Sequence, residues 1–180
     1  MSLKRAVFLD RDGVINEDSE EFIKSPDELK ILLGVKEALQ LLQDAGFVLI
    51  IITNQSGIQR GILSEDDLTA IHQSLRERLD PVFISGIYHC PHGPDDSCDC
   101  RKPKPGMLLT AVQEHEIDLK ASFLIGDRWS DISCGNIVEA TTYLVLTGKN
   151  TEYDPLKFEV EPDFVSNNLK DATDSILSHL

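Results

Sequence analysis

The segment 47–53 (FVLIIIT) constrains the fold most, because it is apolar on both alternating faces. A strand buried on both faces needs helices above and below it, as in the centre of a parallel sheet. Further β-rich runs lie at 6–10, 82–90, 122–127 and 141–148, and helical patterns lie at 34–45, 64–79, 105–115 and 169–179. This alternation predicts an α/β fold with a mostly parallel sheet and right-handed crossovers.

Three of the helical patterns begin at recognisable capping residues. Ser64 precedes a run of acidic residues and has the properties of an N-cap. Pro105 suits the first turn of a helix, because its missing N–H would be unsatisfied there in any case. Asn167 or Asn168 could cap the last helix. These signals support the helix assignments independently of the apolar periodicity.

The 180-residue chain carries 31 acidic and 17 basic residues, a net charge of -14. Such a charge argues against nucleic acid or an anionic membrane as the main partner, because both attract basic surfaces. The apolar run at 6–9 is far too short for a signal peptide or a membrane span. We therefore expect a soluble, cytoplasmic and monomeric protein, with one domain over 1–180 and a polar, Cys-rich loop inserted at 89–105.

Acidic residues end two of the predicted strands. Asp10 and Asp12 are two positions apart, so an extended backbone would point both to one side, and Asp127 ends another strand. Ligands in parallel α/β sheets bind beyond the carboxyl ends of the strands, where carboxylate oxygens suit Mg²⁺. The alternative is that Asp12-Gly13 is only a turn. A turn alone would not account for the acid at a second strand end.

Two polar segments provide groups that could bind phosphate. Thr53 and Asn54 end the most apolar strand, and a hydroxyl, an amide and nearby backbone N–H groups can cradle a phosphate. The alternative there is ordinary turn chemistry leading to Gly57. Lys102 lies in RKPKPGM, where prolines stiffen the backbone, so it could pair with phosphate oxygens. The alternative is a solvated basic loop.

Three cysteines and a histidine fall within eleven residues: Cys90, His92, Cys98 and Cys100. Three thiolates and one imidazole complete a tetrahedral zinc site with no open position, so we expect a structural Zn²⁺ that folds the loop. The alternative is free or disulfide-bonded thiols, and His89 could replace His92. Cys134 stands apart and is interpreted as a small core residue.

Several segments, taken in order, resemble the haloacid dehalogenase superfamily of phosphatases. These are FLDRDGVIN, TNQSG, RKPKP and GDRWSDI, with CPHGPDDSCDC resembling the zinc loop of one branch. That branch contains the D,D-heptose 1,7-bisphosphate phosphatases and the histidinol-phosphate phosphatases. The resemblance covers roughly residues 5–148. It implies a three-layer, Rossmann-like fold with a zinc-stabilised loop, and a small phosphorylated metabolite as the substrate.

The resemblance also implies roles for individual residues. Asp10 would be the nucleophile that forms an aspartyl-phosphate, and Asp12 the general acid and then the general base. Mg²⁺ would be held by Asp10, the backbone carbonyl of Asp12, and Asp127. Thr53 and Lys102 would stabilise the phosphoryl group. Substrate contacts are predicted for Arg11, Asn54, Gln55, Ser56, Arg60, Arg101 and Arg128.

The sequence features divide between the two activities of the branch. TNQSGIQRG, KPKPGM and LVLTGK resemble the heptose enzymes, whereas the five-residue gap between His92 and Cys98 resembles the histidinol phosphatases. Residues 17–24 lack the His-Gly-Tyr-Val pattern of the heptose enzymes. The leading prediction is D-glycero-D-manno-heptose 1,7-bisphosphate 7-phosphatase, and the alternative is histidinol-phosphate phosphatase. A zinc-stabilised binding module without catalysis is a further alternative, against which the intact Asp10 and Asp12 count.

Overall fold

A computed structural model describes residues 3–156, 158 and 160–180. Its six named strands form one sheet in the order β3-β2-β1-β4-β5-β6, and every pairing between them is parallel. The strands are β1 (Ala6–Leu9), β2 (Val48–Asn54), β3 (Gly86–Cys90), β4 (Phe123–Gly126), β5 (Thr141–Val145) and β6 (Phe164–Ser166). The predicted parallel sheet is confirmed.

Five α-helices cover the two faces of this sheet. They are α1 (Val35–Asp44), α2 (Glu65–Leu79), α3 (Gly106–His115), α4 (Trp129–Ile137) and α5 (Leu169–Ser178). Buried side chains of α1, α2 and α5 form one core, and those of α3 and α4 contribute to a second core on the opposite face. The result is the predicted three-layer arrangement. None of the helices in the described ranges is long and apolar enough to cross a membrane.

The division of β1 and β2 between the two cores explains their uninterrupted apolar sequences. Leu9 of β1 and Ile51 of β2 lie in the core beside α1, whereas Phe8 and Ile52 lie in the core beside α3. All four side chains are fully buried. Burial of each contributes about 1.5–3 kcal/mol relative to exposure, so a polar residue at any of these positions would destabilise one layer.

The structure refines several element boundaries. Ser64 caps α2 in a capping box with Asp67, whose N–H lies 3.1 Å from the Ser64 hydroxyl, and Asn168 caps α5. The third strand is shorter than the predicted 82–90, because only Gly86–Cys90 pairs with β2. Both α4 and β6 were missed. The sequence of α4, WSDISCGNI, combines weak helix formers, and β6 has only three residues.

The strand order changes direction at β1, which has β2 on one side and β4 on the other. The chain leaves β1 towards β2 and later returns to place β4 on the free edge of β1. A crevice opens beyond the carboxyl ends of strands at such a switch point. Residues that follow β1, β2 and β4 are therefore brought together.

Candidate active site

A cavity of about 580 Å³ lies at the carboxyl ends of β1 and β2. All four predicted catalytic residues line it, together with six of the seven predicted substrate-binding residues. These are Asp10, Asp12, Thr53, Lys102, Asn54, Gln55, Ser56, Arg60, Arg101 and Arg128. Segments that are widely separated in the sequence therefore meet in one place.

Three buried carboxylates form a cluster beneath this cavity. Asp10 follows β1, Asp127 follows β4, and Asp131 lies in the first turn of α4; one oxygen of each lies within 4.8 Å of the others. Asp131 was not predicted as a site residue, although it lies within the GDRWSDI motif. The missed helix is the reason, because a helical turn brings the fourth residue after Asp127 back towards it.

Glycines allow the backbone to approach these carboxylates closely. A Cβ atom on Gly148 would lie 2.0 Å from Oδ2 of Asp127, and one on Gly126 would lie 2.1 Å from Cβ of Asp131. Oδ2 of Asp127 accepts a hydrogen bond of 2.7 Å from the backbone N–H of Lys149. Alanine at either glycine would therefore displace an acidic side chain of the cluster.

The cluster has the properties of a divalent cation site. Oδ1 of Asp127 is buried and accepts no hydrogen bond from the part of the chain that the structure describes. Burial, with the Asp10 and Asp131 carboxylates nearby, raises the pKa of Asp127 to about 8, and burial is also the main cause that raises the pKa of Asp10 to about 6. Crowded carboxylate oxygens with an excess of negative charge fit a hard cation such as Mg²⁺.

Lys102 is the buried cation of the site. Its Nζ lies 2.9 Å from Oδ1 of Asp10 and 2.6 Å from Oδ1 of Asp131, and it donates to the backbone carbonyl of Ile52 at 2.8 Å. Burial alone would lower the pKa of Lys102, but the two carboxylates outweigh burial and raise the pKa above its usual value. Lys102 is therefore charged beside the nucleophile candidate.

Asn54 holds the backbone of Lys102 in place. Its side-chain oxygen accepts from the Lys102 N–H at 3.0 Å, and its Nδ2 donates to the Lys102 carbonyl at 3.1 Å. The amide of Asn54, predicted to bind substrate, thus borders the cavity but is engaged with the chain itself. This pair of hydrogen bonds joins the end of β2 to the loop that carries Lys102.

The carboxylate of Asp12 is separate from the acidic cluster and is surrounded by donors. Asn16 and Gln55 donate to it at 2.9 and 2.8 Å, and the Arg11 guanidinium forms an ion pair with it at 3.0 Å. Burial would raise the pKa of Asp12, but Arg11, Asn16 and Gln55 together hold it below its usual value. Gln55 also donates to Oγ1 of Thr53 at 2.9 Å, so its amide connects two cavity residues.

Arg11 does not lie where its predicted substrate contact requires. Its side chain is fully buried, and in the described part of the chain it faces Asp12 and His72 instead of the cavity. Arg11 lies in a bend that follows β1, and its guanidinium contacts the Asp12 carboxylate from the buried side. The structure therefore separates Arg11 from the other predicted substrate-binding residues.

Three arginines border the mouth of the cavity. Arg128 forms an ion pair with Asp18 at 2.9 Å, Arg101 donates to the backbone carbonyl of His92 at 2.9 Å, and the Arg60 guanidinium lies 5.8 Å from the Phe22 ring centroid. Local positive charge at this entrance contrasts with the net charge of -14. It would attract an anionic ligand towards the buried site.

The predicted zinc ligands converge in the loop that follows β3. Sγ of Cys90 lies 3.2 Å from that of Cys100 and 3.7 Å from that of Cys98, and Nδ1 of His92 lies 3.3 Å from the Cys100 sulfur. Two thiolates bound to one tetrahedral zinc would be about 3.8 Å apart, so the set fits Zn²⁺. None of the cysteines forms a disulfide within the described residues.

The structure favours His92 over His89 in the metal cluster, because only His92 offers a nitrogen to it. Nε2 of His89 instead lies 2.9 Å from a carboxylate oxygen of Glu65.

Cys134 is buried in the core beside α3, as predicted. Burial raises the pKa of Cys90 to about 12. Without metal, the Cys90 side chain is therefore a thiol, which must lose a proton to bind zinc.

Comparison with known proteins identifies the family. The HAD-hydrolase-like family matches residues 99–172. The D-glycero-beta-D-manno-heptose-1,7-bisphosphate 7-phosphatase of Photorhabdus laumondii is 42% identical over 185 aligned positions, which cover 95% of this chain and 94% of that protein. The chain belongs to the haloacid dehalogenase-like family of phosphatases. The predicted family and fold are thereby confirmed.

Two further members of this phosphatase family support the same placement. The enzyme of the same name from Pseudomonas aeruginosa is 43% identical over 145 positions, covering 79% of this chain and 82% of its own. A crystal structure of D,D-heptose 1,7-bisphosphate phosphatase from B. bronchiseptica, complexed with magnesium and phosphate, superposes with a TM-score of 0.91. That protein is 34% identical, and the match covers 98% of this chain and 99% of the other.

Proposed function

We propose that this protein is a Mg²⁺-dependent phosphatase that removes the 7-phosphate from D-glycero-β-D-manno-heptose 1,7-bisphosphate. The observation that carries the proposal is the contact of Asp10 with Lys102 beside the buried Asp127. A nucleophilic carboxylate, a fixed cation and a cation site are the groups that phosphoryl transfer to an aspartate needs. The names of the relatives supply the substrate.

Repulsion between the Asp10 carboxylate and the phosphate explains why the nucleophile needs cationic neighbours. A carboxylate 4 Å from one unit of phosphate charge is repelled by about 4 kcal/mol at an effective dielectric constant near 20, so a dianion costs about 8 kcal/mol. Lys102, at 2.9 Å from Asp10, offsets part of this repulsion. Asp10, Asp127 and the backbone carbonyl of Asp12 would hold Mg²⁺, which when bound neutralises phosphate charge and orients the phosphoryl group.

The first half-reaction transfers the phosphoryl group to the protein. A carboxylate oxygen of Asp10 forms a bond to phosphorus, the bond from phosphorus to the sugar oxygen breaks, and Asp12 gives its proton to that oxygen. Asp12 is a carboxylate in the free protein, because its neighbours lower its pKa. Asp12 must therefore take up a proton from solvent when the substrate binds, because the phosphate charge beside it favours the protonated form.

The second half-reaction releases phosphate. A water oxygen forms a bond to phosphorus, its proton passes to Asp12, and the bond from phosphorus to the Asp10 oxygen breaks. The lowered pKa of Asp12 then returns it to the ionised state once the products leave. One side chain thus acts as an acid and then as a base, while Lys102 remains charged throughout.

The Mg²⁺-free, zinc-loaded protein should bind Mg²⁺ more tightly as the pH rises from about 6 to about 8. Asp127 holds a proton up to a pKa of about 8, against its ordinary 3.8, and Mg²⁺ must displace that proton. Titration calorimetry of Mg²⁺-depleted, zinc-loaded protein at pH 6.5, in buffers of different ionisation enthalpy, should show proton release. Proton release that is the same in Asp127→Asn would contradict this assignment.

The raised pKa of Asp127 also predicts how the stability of the Mg²⁺-free protein changes with pH. The folded state retains the Asp127 proton to about pH 8, whereas an unfolded chain loses it near 3.8. Stability from this proton is complete below about pH 4 and is lost as the pH rises through about 8. The melting temperature of the metal-free protein should therefore fall over this range, and it should fall less in Asp127→Asn.

Comparison of two substrates tests the proposed activity directly. The arginines at the mouth can bind a second phosphate, which favours the bisphosphate, so its kcat/KM should exceed that of histidinol phosphate by at least about 10²-fold. Histidinol phosphate remains the second candidate because Asp18, Glu20 and Asp96 also line the cavity and fit a cationic substrate. A higher kcat/KM for histidinol phosphate would overturn the choice of sugar.

A further inference from the structure

Arg11 is a fully buried arginine that forms a fork around one carboxylate. Its Nη2 donates to both oxygens of Asp12 at 3.0 Å, and its Nε donates to Oδ1 at 3.2 Å. Two nitrogens of a rigid, planar group therefore contact the same side chain. A contact of this kind restricts the orientation of the carboxylate plane as well as its charge.

His72, on α2, holds the opposite edge of the guanidinium. Its Nε2 lies 3.3 Å from Nη1 of Arg11. Burial, and then the neighbouring Arg11 and His89, lower the pKa of His72 to about 3. The imidazole is therefore neutral and can accept a hydrogen bond from Nη1. It holds the guanidinium in place without competing with Asp12 for its positive charge.

The remaining donors around Asp12 leave little freedom for its side chain. Asn16 donates to Oδ1 at 2.9 Å and Gln55 to Oδ2 at 2.8 Å, so both oxygens are engaged. The Asp12 side chain nevertheless retains 16% exposure and lines the cavity, whereas that of Arg11 is 1% exposed. Arg11 therefore cannot touch a bound substrate directly and can act only through its neighbours.

We propose that Arg11 is a positioning residue, which fixes the Asp12 carboxylate in the orientation needed to transfer a proton to the leaving oxygen, with His72 holding the guanidinium from behind. The inference rests on the proposed phosphatase function. It replaces the predicted contact between Arg11 and the substrate. It also assigns a function to His72, for which the sequence indicated none.

A difference in leaving groups separates this role from a purely structural one. An alkyl phosphate needs a proton on its departing oxygen, whereas 2,4-dinitrophenolate leaves without one. A variant with a misplaced Asp12 should therefore lose activity on the alkyl ester alone. A variant that is merely loosened or partly unfolded should lose activity on both esters. The ratio of kcat/KM for the two esters reports the step up to phosphoryl transfer, so slow release of phosphate does not obscure it.

The variant to test is Arg11→Met, which has a similar length but no charge or donor. We expect kcat/KM for the heptose bisphosphate to fall by about 10²-fold or more, the lower range for loss of general acid catalysis, with less than about a tenfold fall for 2,4-dinitrophenyl phosphate. Arg11→Lys keeps the charge but not the fork, and should lie between the parent and Arg11→Met on the bisphosphate. Equal losses on both esters, or no loss on either, would overturn the proposal.

His72→Phe provides a second test in case Arg11→Met does not fold. It removes the acceptor for Nη1 while retaining a planar ring, and we expect a fall of about fivefold on the bisphosphate alone. An unchanged ratio between the two esters in His72→Phe would contradict the supporting role of His72. If the parent does not hydrolyse the bisphosphate, glycerol 1-phosphate serves as the alkyl ester.

Asp10→Asn distinguishes failure of this inference from failure of the proposed function. Activity of Asp10→Asn equal to that of the parent would reject the phosphatase mechanism itself, whatever Arg11 does. If Asp10→Asn is inactive on both esters while Arg11→Met keeps the parental ratio, only the positioning role of Arg11 is rejected. Asp12→Asn gives the reference pattern, with a large loss on the bisphosphate and a small loss on the dinitrophenyl ester.

Discussion

Asp10→Asn should lower kcat for phosphate monoesters by about 10⁴-fold or more, the scale expected when a covalent enzyme loses its nucleophile. The amide has nearly the shape of the carboxylate but is a poor nucleophile towards phosphorus. It also removes the partner that lies 2.9 Å from Nζ of Lys102. Steady-state rates measure the loss, and rapid quenching with labelled substrate should detect a phosphoprotein in the parent alone.

A matched control for this experiment is Asp66→Asn. Asp66 is exposed near the start of α2, so the same chemical change there should leave kcat within about twofold of the parent. Full activity of Asp10→Asn would reject the nucleophile assignment. A complete absence of turnover by the parent on every monoester tested would instead favour the zinc-stabilised binding module.

Removal of a zinc ligand should give the second large effect. We expect Cys100→Ser to lose bound zinc, to melt at a lower temperature and to have a kcat/KM lower by about 10²–10³-fold, the scale for loss of a positioned donor at the reacting phosphate. The zinc cluster and Lys102 belong to the same loop, because Cys100 lies two residues before Lys102. The Cys98 carbonyl also accepts a hydrogen bond of 2.5 Å from Nζ of Lys104, on the other side of Lys102 in the chain. A metal-free loop would release Lys102 from Asp10.

Zinc content by metal analysis, melting temperature and kcat/KM should be measured on the same preparation of Cys100→Ser. The matched control is Cys134→Ala, which removes the buried thiol outside the cluster and should keep one equivalent of zinc and nearly full activity. Zinc-free Cys100→Ser with parental kcat/KM would show that the Asn54 hydrogen bonds hold Lys102 without the metal.

The sheet could be predicted from the sequence because its strongest strands are buried on both faces. The FVLIIIT pattern of β2 has no polar position before Thr53, and only a central strand between two layers tolerates that. The edge strand β6 offers no such signal, because two of its three residues are exposed. Helix α4 was missed because tertiary packing, and not helix propensity, stabilises WSDISCGNI.

Asp10, Asp12 and Thr53 could be predicted as candidate catalytic residues because polar groups after apolar strands have few structural reasons to be there. Asp131 could not be found in the same way, since its place in the site depends on a helix that the local sequence does not favour. Arg11 was predicted to contact substrate because it lies between Asp10 and Asp12 in the chain. Its burial against Asp12 and His72 depends on the folded chain, and no local pattern in the sequence indicates it.

The position of β1 in the sheet has a consequence for the order of events during synthesis. Val7 pairs with Phe123, and the N–H of Asp10 donates to the carbonyl of Ile125 at 3.0 Å. One edge of β1 therefore remains unpaired until β4 has been synthesised, more than a hundred residues later. Until then β1 presents an unpaired, apolar edge to the cell. In a nascent chain that stops before β4, the edge of β1 that pairs with β4 would have no partner strand. Such fragments should depend on chaperones.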